Sequence, residues 1–461
     1  MVSIMKMSKY NLTAYDQEGN LVLYNFLVGL PSLTKAMKPD VDKFTQVFLT
    51  NAEIHSTSCE GCVDAVESLL NSGILVAADT DESVTHDALH YKEAYDSKLN
   101  LTIYPTGKCN CRCPYCFEAT KPFPREAMSE DAQSAMIKFV QRQIPSCTAL
   151  HIYWFGGEPL LETEMIKYLS EKFMQICKVR FIPYSSEITT NGVLLDADMF
   201  AMLYKLKVYK YMITLDGFKE QHDKKRFLCG GTGTYDTIMT NLLNIRDSKQ
   251  YKFAHIVLRI NVTKDMLDGL NDFIQLIADL FSDDPRFQII FVPVADFSIS
   301  KNLDSAELVS PEELALCLHS NEIYMNKILS KVSETEMITP VEKCKASKKH
   351  AYTIVSDLSV YKCHVHFDYP ANKMGHINSK GDLVIDEALN RKWYMAKKIP
   401  ESCNECFYLP SCNSVNPSCP IRYHGGTSVG SCLIENGADK NILIEKVLYA
   451  TDYFPYHSLV L

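Results

Sequence analysis

The sequence predicts an α/β fold built on one parallel sheet, and three observations lead there. From Leu99 to about Pro293 short apolar runs alternate with amphipathic stretches, giving six strands separated by helices. The polar and glycine-rich motifs follow those apolar runs, and parallel folds collect their reactive groups beyond the carboxyl ends of the strands. The chain of 461 residues, 46% hydrophobic and 22% charged, is ordinary globular material with room for two to four domains. Periodicity leaves the sheet either doubly wound or rolled toward a barrel.

In chain order, residues 10–28 (YNLTAYDQEGNLVLYNFLV) read as two strands joined by a turn at Gln17-Glu18-Gly19-Asn20. Cys62 to Ser72 has helical spacing, Ile74 to Ala77 is a short strand, and the acidic stretch AADTDESVTHD is a linker. These make a small α+β N-terminal domain over residues 1–95. Its Cys59-Glu60-Gly61-Cys62 has metal-ligand spacing but stands alone, so it is read as two thiols at a helix start. The core over residues 96–300 then alternates LTIYP with the helix Glu130 to Ile144, LHIYWF with Glu164 to Lys178, and SEITTNG with Asp196 to Lys205. It continues with KYMITLDG and Tyr235 to Ile245, HIVLRINV and Met266 to Phe281, and ends on FQIIFVPV. A polar, largely helical bridge over residues 301–342 leads to a cysteine-rich segment over residues 343–461.

Charge and cysteine usage narrow the function. The net charge of -9, from 47 basic and 56 acidic residues with no dense Lys/Arg stripe, argues against nucleic acid as a partner. The N-terminus lacks the apolar core of a secretory signal and no apolar run approaches 18 residues, so a cytoplasmic chain without membrane contact is expected. In that reducing compartment, 17 cysteines gathered in two places point to metal chemistry rather than disulfides.

The loop after the first strand, KCNCRCPYCFE, carries four cysteines within eight positions. Neighbouring cysteines on one short loop mostly point apart and do not reach disulfide geometry. The later strands end in Gly156-Gly157-Glu158-Pro159, Thr189-Thr190-Asn191-Gly192 and Thr214-Leu215-Asp216-Gly217, and the fifth carries Arg259 and Asn261. Each motif alone is an ordinary strand-end turn. Together, behind one cysteine loop, they describe a shared site. Three thiolates on one loop can hold three irons of a [4Fe-4S] cluster and leave the fourth open, and a zinc site is the competing reading.

Cys109-x3-Cys113-x2-Cys116, with Tyr115 before the last cysteine and GGEP downstream, resembles the signature of the radical S-adenosyl-L-methionine (SAM) enzymes. The resemblance runs from about residue 100 to the end of the cysteine-rich tail. It implies a partial (β/α)6 TIM-type barrel, a [4Fe-4S] cluster on Cys109, Cys113 and Cys116, and SAM chelated to the open iron. Reduction then yields a 5'-deoxyadenosyl radical that removes a hydrogen atom from substrate, the cofactors supplying the chemistry and the protein the positioning. It implies that Glu158, beside Gly156, Gly157 and Pro159, accepts hydrogen bonds from the SAM amino group. Arg259 would pair its carboxylate, and Thr214 and Asp216 would contact the ribose hydroxyls. Thr190, Asn191 and Asn261 are further polar contacts, Tyr115 belongs to the same cofactor site, and Cys111 is the surplus thiol. Thr214 stands where many relatives have serine.

The seven cysteines from Cys344 onward, namely Cys344, Cys363, Cys403, Cys406, Cys412, Cys419 and Cys432, resemble a SPASM domain carrying two auxiliary [4Fe-4S] clusters. That pattern assigns Cys403, Cys406, Cys412 and Cys432 to one cluster and Cys344, Cys363 and Cys419 to the other. Six residues stand between Cys412 and Cys419 where three are usual. Two fully ligated clusters need eight thiolates, so the Cys344, Cys363 and Cys419 set is expected to lack one, with His364 and His366 as alternative ligands.

The architecture resembles that of peptide maturases, and the N-terminal domain resembles the winged-helix-like element that binds the leader of a ribosomally made precursor peptide. The expected activity is a thioether cross-link from a cysteine to a carbon of another residue, with a flavodoxin- or ferredoxin-type electron donor. Sulfatase-maturase-like oxidation of Cys or Ser to formylglycine is the first alternative, and a non-catalytic multi-cluster electron carrier is another. The residues identify no catalytic base.

Overall fold

The computed structural model describes residues 4–55, 63–85, 92, 94–294, 308–328, 344–395, 403, 405–411, 444, 447–448 and 457–459. The chain divides into two compact units, one comprising Met1–Ala94, Val332–Ser347 and Met395–Leu461, the other Tyr95–Lys331 and Lys348–Tyr394. Cys59, Cys62, Cys412, Cys419, Cys432 and half of the 301–342 bridge lie outside the described residues.

In the first unit, β1 (Ile4–Met7) is central to a three-stranded antiparallel sheet between β5 (Ile54–His55) and β6 (Leu75–Ala77). The expected hairpin is present as β2 (Asn11–Tyr15) and β3 (Leu21–Asn25), its turn closed by Asp16 and by Gly19 at φ +83°. Alternation along β2 buries Leu12 and Ala14 and exposes Thr13 and Tyr15, which makes β2 a half-buried edge strand. β3 pairs onward with β4 (Thr34–Ala36), and β17 (His457–Leu459), from the far end of the chain, joins β4 in parallel. Leu459 thereby enters the core formed by Met5, Leu21, Leu23, Phe44 and Phe48 with α1 (Lys38–Phe44) and α2 (Val63–Asn71).

The second unit carries one ten-stranded sheet. β7 (Leu99–Ile103), β8 (Leu150–Trp154), β9 (Tyr184–Thr190), β10 (Val208–Thr214), β11 (His255–Val262) and β12 (Phe287–Pro293) lie side by side in sequence order, every neighbour parallel. That order settles the topology. Right-handed crossovers stepping always the same way put every helix on one face, whereas a doubly wound sheet reverses direction at a switch point. The crossovers carry α3 (Glu130–Gln143), α4 (Thr163–Val179), α5 (Ala197–Lys205), α6 (Lys219–Lys225), α7 (Tyr235–Asp247) and α8 (Leu270–Phe281). α3 starts where Ser129 caps the Ala132 amide, and α5 where Asp196 caps that of Met199. Phe200 of α5 meets Tyr211 of β10 with ring centroids 4.7 Å apart, which identifies the helix-covered side of the sheet.

That side takes the apolar residues Ile152, Trp154, Ile188, Ile213 and Leu258, all buried. The opposite face carries His151, Tyr153, Glu187, Thr189 and Arg259, each only partly buried. The barrel is partial: β7 pairs on its other side with β13 (Ala351–Ile354), from which β14 (Ser359–Tyr361), β15 (Lys373–Ile377) and β16 (Leu383–Ile385) continue antiparallel. The helical expectation past residue 300 is met in its described part by α9 (Pro311–His319), and α10 (Glu387–Tyr394) follows β16. Among the described residues, no helix is long and apolar enough to cross a membrane.

Candidate active site

The cysteine loop leaves β7 and is stitched to the next strand end by two contacts at the glycine turn. Glu158 N–H donates to the Lys108 carbonyl (2.8 Å) and Gly157 N–H to the Glu118 carboxylate (2.9 Å). Gly156 and Gly157 have φ of +89° and +52°; a Cβ on the first would stand 1.8 Å from the Tyr104 ring, and one on the second 2.0 Å from the Lys108 carbonyl. The glycines of GGEP therefore serve the approach of the cysteine loop itself. Pro159 opens the short 3-10 turn Pro159–Glu162, with Glu158 as its cap.

Glu158 is fully buried, and both its oxygens are engaged within the chain. One accepts from the Leu160 amide (3.1 Å) and the Thr190 hydroxyl (2.7 Å), the other from the Asn191 amide (2.7 Å). Through these bonds the carboxylate ties the end of β8 to the end of β9. Asn191 passes the connection back to the loop, its Nδ2 donating to Asn110 Oδ1 (2.6 Å) and lying 3.9 Å from Cys109 Sγ.

A second tie runs from β10. Asp216 is fully buried, accepting from the Tyr115 hydroxyl and from the Asn261 amide (3.0 Å), with Arg226 3.9 Å away. Burial pushes its carboxyl above the usual range. Like Glu158, it ties a strand end to the cysteine loop. Arg226 Nη1 donates to the Tyr115 hydroxyl (3.0 Å), so Tyr115 is clamped between Asp216 and Arg226. Arg259 donates from Nε to Asn261 Oδ1 (2.9 Å), while Thr214, buried, faces it across the β10–β11 register. Burial lowers the pKa of Arg259 against the pull of Asp216, Tyr153 and Tyr115. This places a guanidinium on the inner face at the carboxyl end of the barrel.

Arg226, Glu118 and Asn110 were missed from sequence, as was His222, which accepts the Asp216 amide (3.1 Å). Arg226 returns to the loop through a nonlocal hairpin, where Arg112 N–H bonds the Phe227 carbonyl (2.9 Å) and Cys229 N–H bonds that of Asn110 (2.8 Å). No local pattern announces such a return.

The thiols differ. Hydrogen bonding from the Cys111 thiol, supported by the Cys111 amide and Arg226, holds Cys109 down to about 6, and Cys111 itself is buried and pushed far up. Cys113 is raised by burial, and Cys116 is pushed up to about 11 by burial and Glu118. Burial works against the charge of Arg226, and Tyr115, Cys113 and Asp216 more than offset it. A buried cation beside Cys113 suits a cluster whose thiolate ligands carry negative charge. The Arg226 Nε, buried without a hydrogen-bond partner among the described residues, adds a donor there. Among the described residues no three His, Cys, Asp or Glu side chains meet at one point as ligands of a single ion would. A cluster asks for something wider, each thiolate holding a different iron. Cys109, Cys113 and Cys116 would each hold one iron of such a group, beside the buried cation.

Of the tail cysteines, Cys344 belongs to the first unit, where Ser347 bonds its carbonyl through the amide (2.8 Å) and hydroxyl (2.7 Å). Cys363 belongs to the second, buried, its amide held by Asn372 Oδ1 (2.7 Å). Next to it the His364 ring packs on Phe155 (4.9 Å between centroids) and Tyr153 (5.9 Å). Cys403 and Cys406 sit on successive tight turns of the first unit.

Residues 103–274 match the Radical SAM superfamily. Over 168 residues the chain is 31% identical to a cysteine-type anaerobic sulfatase-maturating enzyme of Clostridium novyi (strain NT), covering 35% of this chain and 43% of that one. Over 157 residues it is 27% identical to the Fe-coproporphyrin III synthase of Methanosarcina barkeri (strain Fusaro / DSM 804), covering 33% of this chain and 35% of that one. The chain therefore spans less than half the length of these relatives. Among solved structures it resembles native anSMEcpe with bound AdoMet and Kp18Cys peptide, at TM-score 0.57 and 20% identity over 77% of this chain and 97% of that one. At that identity the likeness speaks for the fold alone. From Ile103 into α8, the cysteine loop and the strand ends that hold it are those of a radical SAM domain.

Proposed function

We propose that the protein is a radical SAM peptide maturase that cross-links a cysteine of a ribosomally made precursor to a carbon of another residue. The observation that carries the reading is the cysteine loop bonded to the ends of three successive strands, with Arg259 inside the same barrel. In this reading Cys109, Cys113 and Cys116 hold the cluster, Arg259 pairs the SAM carboxylate, and Thr214 with Asn261 lines the same side. Glu158, Thr190, Asn191, Asp216 and Tyr115 would fix the loop against β9 and β10 and line the SAM site, Glu158 toward the amino group and Asp216 toward the ribose. When bound, the cluster and SAM supply the radical that removes a hydrogen atom from the peptide. The tail cysteines would hold two auxiliary clusters, residues 1–95 would bind the leader, and a flavodoxin- or ferredoxin-type donor would supply electrons. The Kp18Cys peptide bound by the solved anSMEcpe is in keeping with a peptide substrate.

The 31% identity to a sulfatase-maturating enzyme favours formylglycine formation as a second reading. Coexpression with a short cysteine-containing reading frame, if one is found beside this gene, followed by mass analysis, decides. A thioether removes two hydrogens and keeps the sulfur; formylglycine from cysteine loses the sulfur. An unmodified peptide together with no 5'-deoxyadenosine on reduction would leave only the electron-carrier reading.

A further inference from the structure

We propose that the N-terminal hairpin is a wall of the auxiliary iron-sulfur site, so that metal occupancy at Cys403 and Cys406 and folding of the N-terminal domain stabilise each other. The inference rests on the reading that these two cysteines ligate a cluster. All the residues involved belong to one compact unit.

The turn that carries the thiols also carries the side chains that dock it. Cys406 N–H bonds the Cys403 carbonyl and Leu409 N–H that of Cys406, both at 3.1 Å. Steps of three residues through such turns bring side chains back to one side. Cys403, Cys406 and Leu409 accordingly share a single apolar cluster with Tyr10 and Leu27, Tyr10 being fully buried. Phe407 packs on the neighbouring patch and Tyr408 on both, their rings 5.7 Å and 5.1 Å from that of Phe26. Tyr10 precedes β2 and Phe26 follows β3, so both stand at the open end of the hairpin, where the Phe26 amide donates to the Tyr10 carbonyl (3.0 Å), and the cysteine turn grips that end.

Linkage makes the coupling reciprocal. A metal that binds the folded turn stabilises whatever must be folded for the turn to exist, and the hairpin is that support. An aromatic wall on one side of these partly buried cysteines also limits solvent access, one of the means by which a protein sets a cluster's potential.

Hydrogen-deuterium exchange on the full chain tests this, comparing wild type with C403A/C406A, both reconstituted anaerobically with iron and sulfide. Amides of Asn11–Tyr15 and Leu21–Asn25 should exchange at least tenfold faster in the variant, while those of Thr163–Val179 should not change. Tyr10→Ala should shift the redox midpoint or the electron paramagnetic resonance spectrum of one auxiliary cluster. Iron loss in the double variant with unchanged hairpin exchange overturns the coupling. Unchanged iron content removes the cluster from these cysteines, which is a failure of the underlying reading. If the variant does not fold, the same comparison between cluster-free and reconstituted wild type decides, and equal hairpin exchange there overturns the proposal.

Discussion

Replacing Glu158 by Gln should change how stability depends on pH. The buried carboxyl is pushed up from an ordinary 4.5 to about 7, by burial first, with the bonds from Asn191, Thr190 and Leu160 acting in the opposite direction. A raised carboxyl binds its proton more tightly in the folded chain. Its contribution is therefore full below pH 4.5 and lost as pH rises through about 7. At about 1.4 kcal/mol per pH unit, the loss amounts to about 3 kcal/mol. Glutamine imitates the protonated form and does not ionise. Urea unfolding of the cluster-free protein at pH 4.5, 6 and 7.5 should show Glu158→Gln gaining about 3 kcal/mol on wild type across that range. Glu118, also pushed up to about 7, gives a slope of the same sign in both proteins, and His222, held down to about 3 by burial, an opposing one below its ordinary 6.5. Both cancel in the difference. Parallel pH profiles for the two proteins would refute the buried, strained carboxylate.

Cys109, Cys113 and Cys116 to Ala should each abolish SAM cleavage, whereas Cys111→Ala should retain it and alter the cluster's spectrum; full loss with Cys111→Ala and activity with Cys109→Ala would overturn the ligand set. Arg259→Ala should keep its iron but weaken SAM binding by about 1.5–3 kcal/mol, roughly tenfold or more by calorimetry; an unchanged affinity removes Arg259 from the site. A cysteine-containing precursor should perturb the spectrum of the cluster on Cys344, Cys363 and Cys419, by placing its thiolate on an open iron, and a serine-substituted precursor should not. Four protein ligands on every auxiliary cluster would end that mechanism.

Periodicity located β7 to β12 and their helices because each strand and crossover is a local pattern, and the sequence order of the strands then distinguishes barrel from doubly wound sheet. It did not reveal that β13 to β16 extend that sheet, or that β17 completes the N-terminal one, since pairing across hundreds of residues leaves no local trace. The same limit applies within the site. That Glu158 and Asp216 stand at strand ends is legible. That their oxygens turn inward, onto Thr190 and Asn191 or onto Tyr115 and Asn261, depends on loops brought together by folding.

This nonlocal closure also decides how leader binding must be tested. Deleting residues 1–95 would strip β17 of its partner β4, uncover Phe407 and Tyr408, and remove Tyr10 from the Cys403–Cys406 turn. A truncated protein would lose peptide modification whether or not the domain binds a leader. The edge strand β2 offers a cleaner perturbation, because Thr13 and Tyr15 are exposed while Leu12 and Ala14 face the core. An added peptide strand takes affinity from the main chain of such an edge and specificity from its outward side chains. Thr13→Lys and Tyr15→Lys should therefore leave iron content and unfolding midpoint unchanged while weakening precursor binding about tenfold, close to 1.4 kcal/mol. Fluorescence anisotropy of a labelled precursor measures it. Wild-type affinity in both variants would show that the leader, wherever it docks, does not use β2.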